Sequence, residues 1–169
     1  FEIGGAGTPV EWAVEMARFD ETQTLDHLAA VDAIDPTLAL AIADTILRAH
    51  DKAARAGGDT WPDSIRGIID RNTDKFRAVR GLDDATVDRL AVGSHDHLTR
   101  LQSLLSRRVQ QGFVRRCHGD LHLANIARVN GRPLLFDAIE FDVSIATTDI
   151  LYDLAFTLMD LVHFGRQHA

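Results

Sequence analysis

The chain has 169 residues, 46% of them hydrophobic and 25% charged, with a formal net charge of −7. That is a globular composition, long enough for one domain with its own core and too short for two ordinary ones. The acidic balance argues against nucleic acid as a partner, because a phosphate-binding surface needs clustered lysine and arginine.

Phe1–Ile3 and Val10–Met16 read as two strands joined by Gly4-Gly5-Ala6-Gly7-Thr8-Pro9, since glycine supplies positive φ and proline breaks a ladder at its edge. The chain opens in strand-like sequence at Phe1, so it reads as cut from something longer. The middle is helical. Asp35-Pro36 predicts an N-cap followed by proline in the first turn, and Leu38, Ala41, Ile42, Thr45, Ile46 and Ala49 then form one face. Gly57-Gly58 is expected to end that helix. A second helix is expected from Ser64 to Val79 with Ile65, Ile68, Ile69 and Phe76 inward. A third starts near Asp83-Asp84, carries Val87, Leu90, Leu98, Leu101, Leu104 and Leu105, and ends at Arg107-Arg108, a charge order that suits the helix dipole. Gly93 is a point where it could split or bend.

From Phe113 the pattern changes. Phe113-Val114 leads into a short strand or loop. Ile126–Val129 and Pro133–Phe136 flank Asn130-Gly131, the strongest short hairpin signal. A last helix carries Ile150, Leu151, Leu154, Leu158 and Leu161. The single cysteine, Cys117, excludes an intrachain disulfide and suits a reducing cytoplasm. No apolar run reaches the roughly 18 residues that cross a bilayer, and no signal peptide is read, so a cytoplasmic protein without a membrane partner is expected.

The chemistry is concentrated in Cys117–Ile126 and Leu134–Asp142. Phosphoryl transfer asks little covalent work of a protein. It needs a carboxylate beside the acceptor hydroxyl and hard oxygen ligands for magnesium on the nucleotide phosphates. Asp120 follows a glycine on a loop, Asn125 precedes one strand of the hairpin, and Asp137 ends the other. The hairpin is expected to gather a base and two metal ligands into one small volume. His118 and His122 are spaced like a zinc pair on a helix, but Gly119 between them opposes a helix, so His118 is expected to be a packed loop histidine. His95-Asp96-His97 is expected to be a solvated helix face, and Cys117 a buried small hydrophobe. Asp142 is expected to be a solvated loop residue. Glu140 is left open between metal, substrate and loop.

His118-Gly119-Asp120-x-His122-x-x-Asn125 resembles the catalytic loop of aminoglycoside phosphotransferases and related choline- and homoserine-kinase-like enzymes. Leu135-Phe136-Asp137 is similar to their second metal-binding motif, Asp149-x-x-x-Asp153-Leu154-Ala155 to the start of their following helix, and Val10–Met16 to their adenine-contacting strand and hinge. The resemblance implies an α+β fold: a mostly helical C-terminal lobe of a protein-kinase-like fold with short β-hairpins and the N-lobe largely absent. Residues 1–20 would be a remnant of N-lobe strands and hinge, and residues 21–169 the C-lobe. It implies Asp120 as catalytic base with His118 orienting the loop, Asn125 and Asp137 as metal ligands, and Glu11, Trp12, Ala13 and Val14 against the nucleotide. Asp153 would brace the loop. The cofactors implied are ATP and magnesium (Mg2+), the substrate a small molecule bearing a hydroxyl.

The wording Phe136–Asp142 with Tyr152–Phe156 is closest to a bacterial subgroup often fused to a P-loop ATPase-type kinase domain. No GxxxxGK[ST] occurs here, and no Gly-rich loop followed by a lysine-bearing strand, so those parts are expected in sequence outside this chain. Two other readings stand beside the kinase. One is a catalytically inactive kinase-like binding or regulatory module. The other is a metal-dependent phosphohydrolase built on Asp120, Asp137 and the histidines.

Overall fold

The computed structural model describes residues 6–8, 10, 18–56, 61–166 and 168. Residues 1–3 and 11–16 of the two expected strands lie outside the described residues, and with them the hinge Glu11, Trp12, Ala13 and Val14. Gly57 and Gly58 lie outside them too.

The fold is α+β and mostly helical. Its elements are α1 (Leu25–Ala30), α2 (Pro36–Lys52), α3 (Trp61–Arg77), α4 (Asp84–Gln110), β1 (Val114–Arg116), β2 (Ile126–Val129), β3 (Arg132–Leu135), α5 (Val143–Ala146), β4 (Thr147–Asp149) and α6 (Ile150–His163). Single 3-10 turns cover Glu21–Gln23 and Leu123–Asn125. Among the described residues, no helix is long and apolar enough to cross a membrane.

Helix α2 starts as its sequence dictates. The Asp35 carboxylate accepts the Leu38 N–H at 2.7 Å, and Pro36 occupies the first turn. Leu38, Ile42, Ile46 and His50 then lie buried on one face. The helix stops at Lys52, before the glycines expected to end it. Its buried face joins Leu25 and Leu28 of α1, Ile34, Leu121 and Leu123 from the segment between β1 and β2, and Ile126 at the start of β2. Leu25, Leu121, Leu123 and Ile126 have no exposed surface. Each such side chain contributes roughly 1.5–3 kcal/mol on leaving water.

Helices α3 and α4 pair with each other. Their base holds a second, smaller core of Trp61, Val109 and Val114, flanked by Ala56, Ile65, Leu105 and Tyr152. Phe76, expected inward, is exposed: among the described residues α3 packs mainly against α4, and that packing leaves Phe76 uncovered. Gly93 does not split α4, which runs unbroken; among the described residues nothing lies within 4 Å of where its Cβ would be. The α4 N-cap is Asp83, whose carboxylate accepts the Thr86 N–H at 2.9 Å.

Two antiparallel strand pairs complete the fold. Strands β2 and β3 form the expected hairpin, with Asn130 at φ 50° and Gly131 at φ 77°, the left-handed pair a tight two-residue turn demands. Strand β3 lies one residue earlier than Pro133–Phe136, in register Ile126–Leu135 and Val129–Arg132. Strand β1 pairs with β4, which had no counterpart in the sequence reading: Val114 faces Asp149 and Arg116 faces Thr147. The two pairs bracket the loop that carries Asp120.

Candidate active site

The chain leaves β1 and turns sharply at Gly119, whose φ is 85°. A Cβ there would sit 3.1 Å from Ala146 Cα and 3.3 Å from Ile139 side-chain atoms, so both backbone angle and space demand glycine. Cys117 N–H donates to Ala146 O at 2.8 Å, and Ile139 N–H to His118 O at 2.9 Å. The buried His118 ring contacts Phe136 O through Nε2 at 2.8 Å, which makes Nε2 the donor. Backbone and ring of His118 together hold both ends of Phe136–Ile139, the segment that carries Asp137. His118 is thus a packed loop histidine, and among the described residues its buried Nδ1 has no partner.

Asp120 is half exposed. Its carbonyl accepts His122 N–H at 2.9 Å and Asn125 Nδ2 at 2.8 Å. Its carboxylate Oδ2 accepts the same Asn125 Nδ2 at 3.0 Å, while Oδ1 lies 3.5 Å from His122 Nε2. Asn125 ends the 3-10 turn, and its carbonyl accepts Phe136 N–H at 3.1 Å. That bond extends the β2–β3 ladder by one residue, and Asp137 follows Phe136 in the chain. Asp137 is exposed and adopts φ 59°, an uncommon backbone for a residue with a side chain. The structure therefore brings Asp120 and Asn125 into direct contact, with Asp137 next along the hairpin.

Helix α6 holds the loop from beneath. Asp153, fully buried, accepts Gly119 N–H on Oδ1 at 2.8 Å and meets His50 Nε2 through Oδ2 at 2.9 Å. Thr157 Oγ1 donates to Leu121 O at 2.7 Å. Asp160 Oδ2 accepts Leu123 N–H at 2.9 Å and meets His122 Nδ1 at 3.0 Å. The His122 ring also stands edge-on to Phe156, with centroids 4.9 Å apart. Asp149 caps α6 through Leu151 N–H and takes a two-point contact from Arg108, at 2.5 Å and 2.8 Å, which raises the Arg108 pKa.

His118 and His122 serve different partners and do not form a metal pair. His95 pairs with Asp70 at 3.0 Å across α3 and α4, and His97 stays exposed beside Gly93 O. Asp142 caps α5 by accepting from Ser144 and Ile145 N–H; the Ser144 hydroxyl bond, then the backbone bonds, lower its pKa. Glu140 is exposed.

His50, Cys117 and Asp153 place ligand atoms within 4.8 Å of one another. Each already has a partner in the fold. His50 and Asp153 are spent on each other and on Gly119. The Cys117 thiol faces Thr148 O at 3.5 Å, and burial, then the nearby Asp153 and Asp149 charges, push its pKa up to about 12. These three line a cavity of about 300 Å³ together with His118, Leu121 and Leu135. Asp120, Asn125 and Asp137 lie outside that lining, toward the surface.

His50, Thr157 and Asp160 were absent from the sequence reading. Their signal is spacing: His50 continues the Leu38, Ile42, Ile46 stripe, and Asp149, Asp153, Thr157 and Asp160 form a polar stripe on an otherwise apolar helix.

No family model matches the chain, and no solved structure matches it. It is similar to uncharacterized proteins of Mycobacterium tuberculosis and Mycobacterium bovis, 26% identical over 169 residues, covering 97% of this chain and 33% of theirs. The chain thus spans about a third of the length of the curated relatives it matches.

Proposed function

We propose that this chain is the catalytic and metal-binding part of a small-molecule kinase that moves the γ-phosphoryl group of ATP to a hydroxyl. The observation that carries the reading is the contact of Asp120 with Asn125 at 3.0 Å, on a loop whose backbone is anchored by α6 and by a hairpin that carries Asp137 one residue past the Asn125–Phe136 bond. Asn125 spends Nδ2 on Asp120, which fixes the amide and leaves Oδ1 as its oxygen for a cation. With the exposed Asp137 carboxylate it forms the hard-oxygen set that magnesium takes. When bound, that ion neutralises charge on the nucleotide phosphates.

The protein's own work is orientation. Asp120 keeps one carboxylate oxygen near His122 and the other on Asn125, so its direction is set before an acceptor hydroxyl arrives. It accepts the hydroxyl proton as the alcohol attacks. The match to only a third of each relative leaves room, in a protein of their length, for a fused P-loop domain.

The test uses the full-length protein. ATP consumption is measured against a panel of hydroxyl-bearing metabolites, with Asp120→Ala as control. Loss of the positioned carboxylate is expected to lower kcat by about 10²–10⁴-fold. Unchanged substrate-dependent turnover would remove Asp120 from this role.

A further inference from the structure

The Asp120 loop is irregular backbone, and its grip at Gly119 comes from one buried carboxylate. Asp153 Oδ1 accepts Gly119 N–H at 2.8 Å, while Oδ2 meets the His50 ring at 2.9 Å. Both side chains are buried, 8% exposed for His50 and 1% for Asp153. A carboxylate held at both oxygens has a fixed plane. With one donor removed it can rotate, and Gly119 loses an aligned acceptor.

His50 is itself held. It closes the buried face of α2, and its carbonyl accepts Arg115 Nη1 at 2.6 Å. Arg115 lies in β1, the strand that runs into the loop. His50 therefore reaches the loop twice: through its carbonyl to the strand before it, and through Asp153 to the residue preceding Asp120. The tolerance at that point is small, since the Gly119 backbone packs against Ala146 and Ile139.

We infer that His50 is a positioning residue for the catalytic loop, acting through Asp153 on Gly119; the inference rests on the kinase reading of that loop. The bonds of His50 go to Asp153 and Arg115 and none to Asp120, Asn125 or Asp137, so its contribution is expected to fall on the chemical step and to leave nucleotide affinity alone.

The experiment compares His50→Gln with His50→Asn in the full-length protein. Both keep a polar amide at the same buried position. Glutamine carries its N–H about where Nε2 sits, and asparagine stops one methylene short. We expect His50→Gln to retain kcat within about threefold, and His50→Asn to lose about tenfold or more with KM for magnesium-ATP within about twofold. Gly119 amide hydrogen exchange should speed up about tenfold in His50→Asn and hold in His50→Gln. Equal kcat in His50→Asn and wild type, equal loss in both variants, or a change confined to KM would overturn the inference. Turnover that survives Asp120→Ala would sink the kinase reading instead, and the Gly119 exchange comparison would still decide whether His50 fixes the loop.

Discussion

Helices α2 and α6 both press one face onto the segment from Gly119 to Ile126, and the two faces have opposite chemistry. Leu38, Ile42 and Ile46 of α2 share one apolar cluster with Leu121, Leu123 and Ile126. Helix α6 presents Asp153, Thr157 and Asp160 to the backbone of Gly119, Leu121 and Leu123, every second residue of the segment. Meanwhile Leu151, Leu158 and Val162 of α6 are 55%, 51% and 63% exposed. The difference follows from what an extended loop lacks. Its side chains find an apolar bed on one side, but its N–H and C=O groups have no neighbouring strand and must find partners among side chains. Helix α2 supplies mainly apolar contact, with direction only at its end through His50, whereas α6 supplies direction at three points along the loop, and direction is what a loop bearing a reactive carboxylate needs.

The largest test of this contrast is Asp153→Ala. It strips the acceptor from Gly119 and the partner from His50, both in a buried place. We expect a loss of about 3–5 kcal/mol in unfolding free energy. Ile42→Ala, on the apolar side, is expected to cost about 2–5 kcal/mol through lost transfer energy and the space left behind. Denaturant unfolding of both variants checks the order, and Asp153→Ala costing clearly less than Ile42→Ala would break the comparison. Thr157→Val keeps the volume and deletes one donor to Leu121 O, so about 1–3 kcal/mol is expected. No measurable loss would show that bond to be dispensable.

The Cys117 thiol gives a smaller effect with a definite sign. Its folded pKa, about 12, stands above the ordinary value of 9.0. The folded chain therefore keeps a proton that the unfolded chain loses, and stability contributed by this group is full below about 9 and falls as pH rises toward about 12. The difference in unfolding free energy between wild type and Cys117→Ser should change over that window, and a flat difference would contradict it. Smallest of all, Leu158→Ser on the exposed face of α6 should stay within about 0.5 kcal/mol in this chain. A cost of about 2 kcal/mol or more in the full-length protein would show that face covered there.

Much of the local structure was legible. Asp35-Pro36 and Asp83 marked helix starts because capping is a short-range bond between a carboxylate and an N–H three residues on. Asn130-Gly131 marked its turn because few residues adopt positive φ at low cost. The partners of Asp120 were less legible. Asn125 was named from its place before β2, yet its amide bond back to Asp120 depends on the 3-10 turn between them. His50 and Asp160 were missed because each looks ordinary within its own helix. Phe76 was placed inward from periodicity alone, which reports that a face is apolar and says nothing of whether another element arrives to cover it.

The sequence by itself determined the starts of α2 and α4 and the β2–β3 turn, since each depends on neighbours a few residues apart. Tertiary structure decided which face of α6 turned inward, the β1–β4 pairing, and the bond from His50 to Asp153 across 103 positions. Those choices are made by buried polar groups seeking partners, and the partner of such a group is set by where distant backbone comes to rest.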